Sequence, residues 1–311
     1  LYTSPHLSDF RERIRILRPG NHEGQKDRVF EGMISRKELI RIVEELRPYL
    51  RKFGSRLLYE PLSFFEVYTA LAFIYFKQKK TDFVVLETGL GGRLDATNDV
   101  HPLACGVTPI SYEHTQKLGR TLPEIAAEKA GIIKEANVPV VTAPQRKAAL
   151  TVIRRKCRKI GAPLWEVGRA VRFRGTPKDF VLSGPFGAYR SLQLHLLGRH
   201  QMVNAAVAVG IVAASPLLRG KIHKDAVRKG LSRTLWPGRC EVISLSPRVV
   251  LDGAQNAASA RILRMAVRDS FAYERLILVL GVSKDKDVNG LCREIVPLAD
   301  EVIVTAANNP R

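Results

Sequence analysis

The sequence predicts an α/β protein with mostly parallel sheet, built in two parts. Three observations predict it. Short continuous apolar runs such as Phe83-Val84-Val85-Leu86 recur between segments of helical periodicity, the pattern of buried parallel strands joined by helices. Helix starts are marked twice by the same spacing, Ser35 with Glu38 and Thr121 with Glu124, each a capping-box pair. After Trp236-Pro237-Gly238 breaks the chain, strand, helix and strand alternate again as a second βαβ series. A length of 311 residues suits about two domains, expected at 1–236 and 237–311.

Taken in order, the first helix should run from Ser35 to about Tyr49. A second begins near Leu62 and Ser63 and carries Phe64, Phe65, Val67, Tyr68, Leu71, Ala72, Ile74 and Tyr75, an apolar set wide enough to be mostly buried. It ends in Lys77, Lys79 and Lys80, where the helix dipole favours cations. The run Phe83–Leu86 is expected as a buried strand, and Cys105–Ile110 and Val138–Val141 as two more. Between these the helix opened by Thr121 tolerates Pro123 in its first turn. From 164 to 196 alternation and frequent Gly and Pro predict small antiparallel strands. A helix should follow from His200 to about Ala214. Beyond the break come a strand at Val249–Leu251, a helix over about Ala258–Ser270, a strand at Leu276–Leu280, then a helix and a strand at Val302–Thr305. No internal repeat is present.

Composition excludes several classes. At 45% apolar and 26% charged residues the chain is neither disordered nor low in complexity. No apolar run approaches the roughly 18 residues of a membrane span. The four cysteines, Cys105, Cys157, Cys240 and Cys292, are scattered with no CxxC pair. That argues against a zinc knuckle or a disulfide scaffold and fits a reducing compartment, so a cytoplasmic location is expected. The charge of 50 − 30 = +20 suits a polyanionic or phosphate-rich ligand. Its densest cluster, Arg154, Arg155, Lys156, Arg158 and Lys159, reads either as a solvated helix face or as an anion patch. Aromatic content is low and no RNA-recognition motif occurs, so charge alone does not make this a nucleic-acid protein.

No G-x-x-x-x-G-K-[ST] loop, G-x-G-x-x-G, serine nucleophile elbow, HExxH or EF-hand loop is present. Four positions stand out instead. Glu87 follows an expected strand and precedes Gly89-Leu90-Gly91-Gly92. At the carboxyl end of a strand such an acid is either a turn residue or a ligand for a hard cation. His114 lies just past the next strand, as a half-buried histidine or a metal ligand. Lys129, among Ala126, Ala127 and Ala130, reads as a surface lysine or one turned into a crowded site. Asp252 follows a third strand and precedes a helix, as a cap or a site acid.

Seven blocks together resemble one family: Tyr2-Thr3-Ser4-Pro5-His6-Leu7, Leu86 to Asn98 (LETGLGGRLDATN), Glu113-His114-Thr115, Ala127-Glu128-Lys129-Ala130-Gly131, Gly198 to Gln201 with Asn204, Trp236-Pro237-Gly238-Arg239, and Asp252-Gly253-Ala254. The chain resembles the folylpolyglutamate synthase/dihydrofolate synthase branch of the Mur ligases over its whole length. The resemblance implies a central ATPase domain followed by a Rossmann-like glutamate-ligase domain, both incomplete here. It implies ATP-driven amide formation between a pteroate or folate carboxylate and L-glutamate through an acyl phosphate, with ATP and Mg2+ required. By the same resemblance Ser4, Glu87 and His114 match magnesium positions. Lys129 matches a lysine that becomes carbamylated, turning a cation into a carboxylate able to hold metal. Asn204, Arg239 and Asp252 match nucleotide contacts. Ser63, Phe65, Leu94, Asp95 and Ala96 fall where the pterin is held. Small-molecule substrates, no membrane or nucleic-acid partner, and a monomer are expected.

Three departures qualify the resemblance. The phosphate loop should lie upstream of Leu1, so weak ATP binding and no activity are expected of these 311 residues alone, and the final domain should continue past Lys284-Asp285-Lys286-Asp287 and Asn309-Pro310-Arg311. Gln255 stands where D-G-A-H-N carries His, and keeps hydrogen bonding without titrating near neutrality. Glu113 stands where Asp is common before His114, longer by one methylene. The competing readings are another Mur-type amide ligase, against which L-D-A-T-N argues, and a basic nucleic-acid-binding protein on a ligase scaffold. An inactive paralogue is a third, but Glu87, His114 and Lys129 are all retained.

Overall fold

The computed structural model describes residues 1–18, 30–54, 61–283 and 286–306. The first two helices are α1 (Arg36–Gly54) and α2 (Phe64–Gln78), followed by β1 (Cys105–Val107), α3 (Thr115–Leu118), α4 (Leu122–Lys129) and β2 (Val140–Thr142). Next come α5 (Lys147–Ile160), β3 (Leu164–Glu166), β4 (Arg172–Thr176), β5 (Asp179–Gly184), β6 (Gly187–Leu192), α6 (His200–Ala214) and α7 (Lys224–Arg233). The remainder is β7 (Glu241–Leu245), β8 (Arg248–Leu251), α8 (Ala257–Ser270), β9 (Ile277–Leu280), α9 (Val288–Ile295) and β10 (Glu301–Val304). The chain forms two compact units, one of Leu1–His101 with Ala127–Lys134, the other of Pro102–Ala126 with Glu135–Arg311. Both sides of Trp236–Gly238 fall in the second unit.

In the first unit, α2 is nucleated by Ser63, whose hydroxyl accepts from the Glu66 N–H while Glu66 returns to the Ser63 N–H at 2.7 Å. The buried face of α2, with Tyr68, Leu71, Ala72, Tyr75 and Phe76, packs with Ile34, Leu39 and Ile42 around a fully buried Tyr2. Burying a side chain of this size contributes about 1.5–3 kcal/mol. The main chain of Tyr2 is paired on both sides, antiparallel to Ile14 and parallel to Leu86. The expected strand Phe83–Leu86 is therefore corrected to one isolated bridge. Its backbone bonds run to Tyr2, from Tyr2 N–H to Val85 O and from Glu87 N–H to Tyr2 O, both 2.9 Å. Val84 and Val85 remain exposed rather than buried.

In the second unit β1, β2 and β3 form a parallel sheet in that order. Helix α6 lies close on it. A Cβ on Gly106 would stand 2.4 Å from Ile211 Cδ1, and one on Gly210 2.9 Å from Val141 Cγ1, so glycine sets the approach. The antiparallel strands expected over 164–196 are corrected at their start: Leu164–Glu166 is the parallel strand β3, and only β4, β5 and β6 form the antiparallel meander, whose Phe180, Leu182 and Leu192 join the same core. Beyond residue 240, β7 and β8 pair as a hairpin and β9 and β10 lie parallel, with α8 and α9 packed through Ala260, Leu291 and Ile295. Strand β7 and helices α5 and α7 were not delimited by the sequence reading. Lys284, Asp285 and Asn309 to Arg311, which carry part of the resemblance to the final domain, lie outside the described residues.

Candidate functional site

The pairing of Tyr2 with Leu86 places Ser4 and Glu87 at the carboxyl ends of two parallel segments. The Ser4 N–H donates to Glu87 Oε2 at 2.8 Å, so backbone geometry orients the carboxylate. Just after Glu87 the glycine loop turns on Asp95. Asp95 Oδ2 accepts from the Gly89 and Leu90 N–H groups at 3.1 and 2.8 Å, and Oδ1 from the Thr97 N–H and hydroxyl at 3.0 and 2.6 Å. The glycines permit close packing. A Cβ on Gly89 would fall 2.4 Å from the Phe65 ring, and one on Gly92 2.8 Å from the Lys129 carbonyl oxygen.

That contact brings the end of α4 to the loop. Arg93 N–H donates to Glu128 O at 2.9 Å, and its guanidinium pairs with the Glu128 carboxylate at 3.0 Å. The Asn98 amide donates to the carbonyls of Arg93 and Gly131, and the Lys134 ammonium donates to Asn98 O. Ser4, Glu87 and half-buried Lys129 thus belong to one unit and one loop assembly. Of the expected substrate residues, Phe65 packs on Gly89, Ser63 caps α2, Asp95 and Ala96 lie in the loop, and Leu94 is 79% exposed. Leu7, Ser8 and Asp9 are gathered by the buried Glu12, which accepts from all three N–H groups at 2.7–3.0 Å. Burial opposes its charge, but these bonds prevail and hold its carboxyl below the usual range. The sequence reading missed Glu12, whose only signal was its place three residues after the N-cap Asp9.

In the second unit His114 follows β1 with φ +51° and ψ 38°, a left-handed conformation uncommon for a residue with a Cβ. Its backbone carbonyl starts α3 by accepting from Lys117 and Leu118 at 2.9 Å. The segments that carry Arg239 and Asp252 meet through their neighbours. Cys240 N–H donates to Asp252 Oδ2 at 2.8 Å, Gly253 N–H to Gly238 O at 2.9 Å, and a Cβ on Gly253 would touch Arg239 Nη1 at 2.7 Å. Cys240 also sits at positive φ. Asn204 donates to Gln201 Oε1 at 2.8 Å on α6. One helical turn earlier on that face, His200 feels the Asp252 carboxylate, while burial pushes its imidazole below the usual range. The sequence reading gave His200 no role, although its i, i+4 spacing to Asn204 was visible.

Among the described residues no three His, Cys, Asp or Glu side chains cluster as a metal site. The set expected for magnesium draws on only two such residues, Glu87 and His114. The Glu87 carboxylate, held by the Ser4 N–H, is an oxygen donor that suits a hard divalent cation, and the Ser4 hydroxyl is a second oxygen of the same kind.

Residues 238–311 match the family model described as Mur ligase, glutamate ligase domain. The whole chain is 35% identical to the dihydrofolate synthase/folylpolyglutamate synthase of Bacillus subtilis, covering 70% of that protein. The chain belongs to the dihydrofolate synthase/folylpolyglutamate synthase family. A second relative, the probable bifunctional folylpolyglutamate synthase/dihydropteroate synthase of Haloferax volcanii, is 38% identical over 92% of this chain, which spans 33% of that longer protein. Among solved structures, Mycobacterium tuberculosis folylpolyglutamate synthase complexed with ADP superposes over all of this chain and 68% of its own, with a TM-score of 0.89 at 32% identity. The α/β architecture is thus that of this family. No helix among the described residues is long and apolar enough to cross a membrane.

Proposed function

We propose that the protein joins L-glutamate to a folate-type carboxylate at the expense of ATP. Tetrahydrofolate, dihydropteroate or both are the acceptors. Family membership over the full chain carries the reading, and the ordered Ser4–Glu87 pair beside the glycine loop supports it. The substrate carboxylate attacks the γ-phosphorus of ATP, ADP leaves, and the amine of glutamate displaces phosphate from the acyl phosphate, losing one proton. Phosphoryl transfer of this kind depends on positioning and charge neutralisation.

Ser4, Glu87 and carbamylated Lys129 would hold Mg2+, with His114 included on the resemblance alone. The ion supplies charge neutralisation at phosphate oxygens. The Ser4 N–H holds the Glu87 carboxylate in place for that task. Asp95 fixes the amides of Gly89 and Leu90, so the glycine loop keeps its turn just after Glu87. Arg239, on the segment anchored by the Cys240–Asp252 bond, offers a delocalised cation to a phosphate, and Asn204 and Asp252 are the other nucleotide contacts. Ser63, Phe65, Leu94, Asp95 and Ala96 border the acceptor. The match beginning at Gly238 supports a boundary between segments 1–236 and 237–311.

The test uses the chain as its gene encodes it. ADP release should require glutamate together with dihydropteroate or tetrahydrofolate, assayed separately. With 18O in the acceptor carboxylate, one labelled oxygen should appear in each phosphate released. Unlabelled phosphate would exclude the acyl phosphate, and glutamate-independent turnover would exclude the ligase reading.

A further inference from the structure

Glu113 and Gln255, the two residues singled out within the matched motifs, touch each other. Gln255 and Glu113 lie 142 residues apart in sequence, yet Gln255 Nε2 donates to Glu113 Oε1 at 3.1 Å. The same oxygen stands 3.7 Å from His114 Nε2. The bond therefore ties the segment matched as a glutamate ligase domain to the loop that carries His114.

Gln255 is well placed as an anchor. Its own N–H and that of Asn256 both donate to Ser259 Oγ at 3.1 Å, and Asn256 Oδ1 accepts from the Ser259 N–H at 2.9 Å, so the start of α8 is locked. What it holds needs holding. The left-handed backbone of His114 persists only where the surroundings fix it. Its carbonyl is secured on the α3 side by Lys117 and Leu118. On the other side Glu113 provides the tether.

We propose that Glu113 and Gln255 form a positioning clasp. Gln255, fixed at the head of α8, holds the Glu113 carboxylate and with it the turn that presents the His114 imidazole. This rests on the reading of His114 as part of the ligase site. It adds two positioning residues, one from each side of the segment boundary, and makes the His114 loop sensitive to the placement of α8.

The test compares Gln255→Leu, Glu113→Ala and the double variant in the chain as its gene encodes it, with Gln255→His as the conservative rescue. Each single change should lower kcat about 3- to 10-fold, the range of one lost hydrogen bond, with KM for ATP and glutamate unchanged. The double variant should be no worse than the poorer single, and Gln255→His should restore kcat. Independently of activity, the His114 Hε1–Cε1 resonance of the metal-free protein should shift or broaden in all three variants while the other histidines stay put. Additive losses, or an unmoved His114 resonance in Gln255→Leu, would overturn the clasp. Should Glu113→Ala fail to fold, Gln255→Leu decides, since Gln255 is exposed. A wild-type protein without glutamate-dependent turnover would sink the ligase reading, and the resonance would still test the clasp.

Discussion

Asp95→Asn probes whether the glycine loop is built or merely placed. The wild-type carboxylate accepts four hydrogen bonds, two on each oxygen, from Gly89, Leu90 and Thr97. Asparagine has one oxygen. Turned toward Gly89 and Leu90, that oxygen keeps two bonds without the charge, the NH2 group faces the Thr97 N–H, and the Thr97 hydroxyl can rotate to accept. A hydrogen bond to a charged group contributes about 1.5–3 kcal/mol net, and these lie at half-buried to exposed positions, so about 1 kcal/mol each is the fitting value. One lost bond with a donor facing a donor, and two bonds weakened by loss of the charge, then cost about 2–3 kcal/mol. Hydrogen exchange of a peptide spanning 86–98 measures this directly, because the Thr97 amide should lose its protection and the Gly89 and Leu90 amides part of theirs. Glutamate-dependent ADP release should fall with it, since Glu87 precedes the loosened turn by two residues. Unchanged exchange, with only the KM for the folate raised, would refute the argument and make Asp95 a substrate contact alone.

Gly131→Ala should lower the midpoint of a calorimetric melt by about 5 °C, because its Cβ would lie 2.3 Å from Arg93 Cβ and 2.4 Å from Arg93 Cα. Glu12→Gln should cost about 1–3 kcal/mol in urea unfolding, since its oxygen can keep Ser8 and Asp9 but its NH2 then faces the Leu7 N–H. The Lys79 ammonium and the Ser35 hydroxyl hold Glu38 at about 2 instead of 4.5. With the folded value below the unfolded one, its stabilisation is present above 4.5 and disappears as pH falls toward 2. An NMR titration should find that low midpoint, and Glu38→Gln should flatten the stability profile across this window.

Where local chemistry decides structure, the sequence was readable. The capping pairs Ser35/Glu38 and Thr121/Glu124 are present as hydrogen bonds, and the helix expected from His200 to Ala214 has those ends. The run Phe83–Leu86 misled, because an apolar run reports affinity for a core and says nothing of which edge finds a partner. Strand β7 escaped notice because Glu241 to Leu245 show no period-two alternation, and none of the five is buried. At the candidate site the motifs named the residues but not their supports. Nothing in the spacing of Arg93 and Glu128, or of Glu113 and Gln255, indicates that these pairs meet, since each is closed by tertiary folding across 35 and 142 residues.

The left-handed turn at His114 has an evolutionary corollary. Valine, isoleucine and threonine are excluded there by steric crowding of the main chain, whatever the imidazole does, while asparagine and glycine are admitted. Invariance of this residue across an alignment would therefore mix two selective pressures. An asparagine substitution separates them, because it spares the backbone and removes only the ring.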